Sequence, residues 1–238
     1  MKIRYSLISN SSSSSFIIIF PKKPKTADAV FKYMFNGVSG YAGHDDNFRM
    51  SYKEISDRVF NDLKNNKINI KEELLHEFKT LVSLKLMNME TDYLRDKISV
   101  VVTITKEKEF DLNQISLILK YLDNYTQLRG LRDLCSEEQD YLRRDMKVTN
   151  IPWGQEPQEY KDKYYEIQKK YHTKTSPIVD ENNKIINQLA SDKVNKFISE
   201  NDGWWYTILR YDDHSDVGSL MEHGNVFRNI KHITISHH

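Results

Sequence analysis

Residues 11–20 read SSSSSFIIIF, five hydroxyl side chains running directly into five apolar ones. The apolar half is wholly β-branched or aromatic, which marks a strand over residues 16–20, and Pro21 and Pro24 end it. Upstream, IRYSLI at 3–8 alternates imperfectly and reads as a second strand. Serine competes for nearby backbone groups and disfavours the interior of helix and strand, so Ser11–Ser15 are expected as a loop between the two strands. At the far end of the chain, WWYTILRY (204–211) and HITISH (232–237) return to strand character. A chain that opens and closes in β structure with helices between argues an α+β fold, with both ends in one mostly antiparallel sheet.

Between these ends the helical signals are plain. TADAVFKYMF sets Val30, Phe31, Met34 and Phe35 on one face behind a Thr26 cap. Ser51 with Glu54 forms a capping box ahead of Ile55, Val59 and Leu63, and Asn69 with Glu72 repeats the signal ahead of Leu74, Leu75, Phe78, Leu81 and Val82. The glycine-rich NGVSGYAGHDD reads as a loop. Ile98, Val100, Val102 and Ile104 alternate with Ser99, Thr103 and Thr105, the period of a strand. From 111 to 200 the pattern is helical and highly charged, broken at TNIPWGQEP and TSPIVD into three expected helices. The whole is read as one domain, 1–238, in which 111–200 forms a helical layer or insertion.

With 35 basic and 34 acidic residues in 238, the net charge of +1 gives no overall field toward nucleic acid or an anionic membrane. The early apolar run is far short of the ~20 residues that span a bilayer and follows no secretory layout, so a cytoplasmic protein is expected. The single cysteine, Cys135, has no partner for an internal disulfide and reads as an inert thiol.

Two stretches carry chemistry. Hydroxyls and N–H groups presented together by a loop of Ser11, Ser12, Ser13, Ser14 and Ser15 could cradle a phosphate, although glycine and a following lysine are missing. A solvated linker, or a peptide read by a protease, kinase or partner, fits the same residues. The last line holds five of the eight histidines, at 214, 223, 232, 237 and 238, beside Asp212, Asp213, Asp216 and Glu222. Imidazole with carboxylate ligates zinc or manganese and moves protons near neutral pH. Candidate ligands are Asp213, His214, His223 and His238; Glu222 and His223 are the candidate acid–base pair, at the end of a short helix that Gly224 stops. No standard zinc spacing occurs, and a structural histidine network is the alternative.

The opening KIRYSLISNSSSSSFII and the closing YDDHSDVGSLMEHGNVFRNIKHITISHH resemble the two ends of a family of uncharacterised bacteriophage-encoded proteins. The resemblance covers roughly residues 2–20 and 206–238. It implies an accessory protein acting inside an infected bacterium and assigns no catalytic role. Taken with the two stretches above, the expectation is an accessory protein of host-takeover or anti-defence type in which the serine loop and the His/acid C-terminus lie together as one phosphate-ligand site, with a bacterial host protein or a nucleotide-like ligand as its partner. A metal-dependent hydrolase or transferase acting on a phosphate ester, and a virion protein with an N-terminal serine recognition tag, are the alternatives.

Overall fold

The computed structural model describes residues 13–43, 49–66, 68–106, 110–152, 154–212 and 215–236. In chain order the elements are β1 (Ser13–Phe20), α1 (Ala27–Phe35), β2 (Tyr41–Gly43), β3 (Arg49–Ser51), α2 (Tyr52–Asn65), α3 (Ile70–Arg95), α4 (Lys97–Lys106), α5 (Leu112–Asp145), α6 (Gln158–Glu200), β4 (Trp205–Asp212), α7 (Asp216–His223) and β5 (Lys231–Ser236). The fold is α+β. The expected strand at 3–8 lies outside the described residues. The chain divides into two compact units, Met1–Leu81 with Ala190–His238, and Val82–Leu189.

In the first unit β1 is the middle strand of a three-stranded antiparallel sheet, β4-β1-β5. Both chain ends therefore share one sheet. Side chains of a strand alternate between faces, and both faces of β1 are covered. Phe16, Ile18 and Phe20 enter a core with Val30 and Met34 of α1, Ile55 and Val59 of α2, and Leu220, Met221 and Phe227. Ile17 and Ile19 are equally buried on the opposite face. Burial on both sides is why FIIIF is a continuous apolar run rather than an alternating one. Each such side chain removed from water contributes about 2 kcal/mol.

The helices over this sheet start where the capping chemistry puts them. Thr26 Oγ1 accepts from Ala29 N–H at 3.1 Å. Ser51 N–H donates to Glu54 Oε2 at 2.8 Å while Glu54 N–H donates to Ser51 Oγ at 3.2 Å, closing the capping box. The glycine-rich segment, expected as plain loop, contains β2, which pairs with β3 just beyond it.

In the second unit two expectations are corrected. Residues 97–106 form α4, not a strand. Asp96 Oδ1 accepts from Ile98 N–H and Ser99 N–H at 3.1 Å each, which is a helix cap. Only Val100 and Ile104, one turn apart, are buried, while Ile98 and Val102 are exposed; the cap and this i,i+4 burial override the β-branched composition. Secondly, 111–200 holds two long helices rather than three, because α6 carries Pro177 in its interior and TSPIVD does not break it. α5 and α6 run antiparallel, tied by Asn124 to Asn182 at 2.9 Å, by Lys170 to Glu138 at 2.7 Å and by Lys120 to Glu181. Leu142, Val148 and Tyr160 close the end of this hairpin. No described helix is long and apolar enough to cross a membrane.

Candidate functional site at one end of the sheet

Ser13–Ser15 are strand, not loop, which corrects the serine-loop expectation for those residues; Ser11 and Ser12 lie outside the described residues. The physical reason is position in the sheet. Ser14 pairs with Tyr211 on β4 and Ser236 on β5, and Ser15 with Arg210 and Ile235, so two ladders hold a segment that its own propensity would leave irregular. A phosphate cradle needs N–H groups turned toward the ligand, whereas the main-chain groups of this middle strand are engaged by β4 on one side and β5 on the other.

Because β1 runs opposite to both neighbours, its serine end meets the last residues of β4 and β5: Ser13 faces Asp212, and Ser14 faces Ser236. α7 closes this end. Asp212 O accepts from Ser215 N–H at 3.1 Å and from Ser215 Oγ at 2.7 Å, while Ser215 Oγ accepts from Gly218 N–H at 3.0 Å as the helix cap. A Cβ on Gly218 would stand 1.7 Å from Asp212 O, so only glycine allows the helix this close to the strand. Six residues on, Gly224 N–H donates to Leu220 O at 2.8 Å and ends the helix as its sequence position predicts. Its last turn carries Glu222, whose Oε1 accepts from Ser236 Oγ at 3.1 Å. His223 Nε2 lies 4.0 Å from Glu222 Oε2.

The structure thus gathers Ser14, Ser236, Glu222 and His223 at one end of the sheet. Of the other expected ligands, Asp213, His214 and His238, like His237, lie outside the described residues. His232 is four residues back along β5 from Ser236, about 13 Å at strand rise, with its Nδ1 3.0 Å from Ile230 O. Among the described residues no three His, Cys, Asp or Glu side chains gather within reach of one metal ion.

A second polar cluster, on the opposite face, escaped the sequence reading. Ser15 Oγ donates to Glu77 Oε1 at 3.0 Å, and Arg210 Nε donates to the same oxygen at 2.9 Å. Arg210 Nη2 also reaches Glu73. Burial works against the Arg210 charge, but its hydrogen bonds to Glu73 and Glu77 outweigh it and hold its pKa above the ordinary guanidinium value. The signal was in the helix stripe: positions 74, 77, 78, 81 and 82 follow one core-facing spacing, and a glutamate occupies the second of them.

Compared with known protein families, characterised proteins and solved structures, the chain matches none of them.

Proposed function

We propose that the protein is a bacteriophage accessory protein of host-takeover or anti-defence type, acting inside the infected bacterium by binding a host protein through its helical unit. The α+β unit is its scaffold. The resemblance of the two chain ends supports the phage origin. One observation carries the mode of action: Leu134 and Tyr141 on α5 are 52% and 66% exposed. Seven residues apart, they stand two turns along one helix face. At Tyr141 runs a cleft lined by Tyr141, Leu142 and Ile167, with Glu138, Lys163 and Lys170 at its polar side. A solvent-facing aromatic and leucine bordered by charged side chains is the composition of a protein-binding centre with its rim, where tyrosine is enriched.

The test is expression of the full chain in a bacterium. The wild type should slow growth or lift a phage defence, and one host protein should co-purify in fixed stoichiometry. Leu134→Asp with Tyr141→Asp should lose both effects at unchanged helix content and melting temperature. A double variant as potent as wild type overturns the reading, as does an inert wild type whose melting temperature rises with nucleotides.

A further inference from the structure

We propose that Ser14, Ser236 and Glu222 form a site for a hard divalent cation of the Ca2+, Mg2+ or Mn2+ kind at the serine end of the sheet. This goes beyond the binding role of the helical unit and stands independently of it.

The geometry supplies three oxygens of the right sort. Ser14 and Ser236 are directly opposed in the register of β1 and β5, so their side chains leave the sheet on the same face with Cβ atoms about 5 Å apart. That face is the one α7 covers, since Ser236 Oγ meets Glu222 there and Phe16, two residues along β1 from Ser14, packs with Leu220 and Met221. Ser14 is 1% exposed, and its Oγ has no hydrogen-bond partner among the described residues. A buried hydroxyl left in that state costs about 1–3 kcal/mol. The Glu222 side chain is only 9% exposed.

The chemistry selects a cation over an anion. A carboxylate repels phosphate, and the main-chain N–H groups of β1 already serve the two ladders. Carboxylate and hydroxyl oxygens are ligands for hard cations. Ser236 can keep its proton on Glu222 Oε1 and still offer a lone pair; Ser14 Oγ offers both of its own. His223, with its side chain 47% exposed, lies beside the carboxylate and is not needed as a ligand.

The experiment uses the full, untagged chain stripped with a chelator, then titrated separately with Mn2+, Mg2+ and Ca2+ while the melting temperature is read, with Mn2+ occupancy followed by electron paramagnetic resonance. At least one of these ions should raise the melting temperature by several degrees and saturate at one ion per chain. Glu222→Gln should abolish the rise, and Ser14→Ala, which removes one oxygen from a strand that accepts alanine, should weaken affinity about tenfold or more. If no ion shifts the wild type, the site does not exist. If Ser14→Ala melts higher than wild type by the same amount with and without ion, the Ser14 hydroxyl is only an unsatisfied group and the proposal is overturned.

Discussion

Ser15 and Glu77, 62 positions apart in the chain, meet at 3.0 Å with neither side chain exposed to solvent. A carboxylate so placed is held by what surrounds it. Ser15 supplies one donor and Arg210 two more, at 2.9 and 2.6 Å. The arginine is partly solvated, which reduces its own desolvation cost while the acceptor stays dry.

Removing the acceptor should therefore be worse than removing one donor. Glu77→Ala takes from the interior the carboxylate to which both Ser15 Oγ and Arg210 donate, and should lower unfolding free energy by about 3 kcal/mol. Ser15→Ala removes one of the donors to Glu77 and keeps the carboxylate with Arg210, and should cost about 1–2 kcal/mol. Urea unfolding of both variants and of the double variant gives the coupling. Losses that simply add would show that the two residues do not act as one network.

Much of this architecture was legible in the sequence because local chemistry and tertiary demand agree. Thr26 and Ser51 cap the helices they precede, Ser51 together with Glu54 in the first turn, and FIIIF is a buried strand. Where composition and context conflict, the sequence misleads. The serines are poor strand formers, yet pairing on both sides makes Ser13–Ser15 strand; Ile98–Ile104 are good strand formers, yet Asp96 caps them into a helix. Long-range polar partners are the least legible. Nothing near Ser236 in sequence marks Glu222 as its acceptor, and nothing near Arg210 marks Glu77; only the fold brings them together.

Glu90 gives the helical unit a pH dependence of defined sign. Burial raises its pKa above the ordinary carboxylate value, against hydrogen bonds from Tyr121 and Tyr125 and the charge of Arg132. The folded state thus holds this proton more tightly than the unfolded chain does. The associated stability is complete below the unfolded carboxylate value, and is lost as pH rises through the higher folded one. Glu90→Gln keeps an oxygen to accept from Tyr121 Oη, now 2.7 Å from Glu90 Oε1, without a buried charge. The variant should melt above wild type at pH 7, with the gain vanishing near pH 4. A gain constant across that range would assign the effect to packing.

Two glycines should respond oppositely to alanine. Gly130 lies within α5, and a Cβ there meets nothing within 4 Å, so Gly130→Ala should stabilise by about 0.5–1 kcal/mol through helix propensity. Gly218→Ala drives a methyl against the Asp212 carbonyl, backbone against backbone, and should cost about 1–3 kcal/mol. Thermal melts of the two single variants decide it. Equal signs would mean that α7 does not approach β4 as closely as the structure places it.

Pro177 sits deep inside α6, with helix continuing for many residues on both sides. It has no N–H for the carbonyl one turn before it, and its ring crowds that carbonyl; an interior proline costs a helix about 3 kcal/mol relative to alanine. The helix survives because its flanks are anchored. Tyr171 before the proline and Ile185 and Leu189 after it are buried, and Asn182 is bonded to Asn124 of α5. Pro177→Ala should therefore restore one main-chain hydrogen bond without disturbing these anchors, raising unfolding free energy by about 1–3 kcal/mol and increasing helical ellipticity slightly. Hydrogen exchange locates the gain: amides within a turn of residue 177 should become more protected, and those near 160 and 195 should not change. A Pro177→Ala protein that is less stable than wild type would mean that the proline ring itself is a packing contact, and that the helix is shaped around it rather than tolerating it.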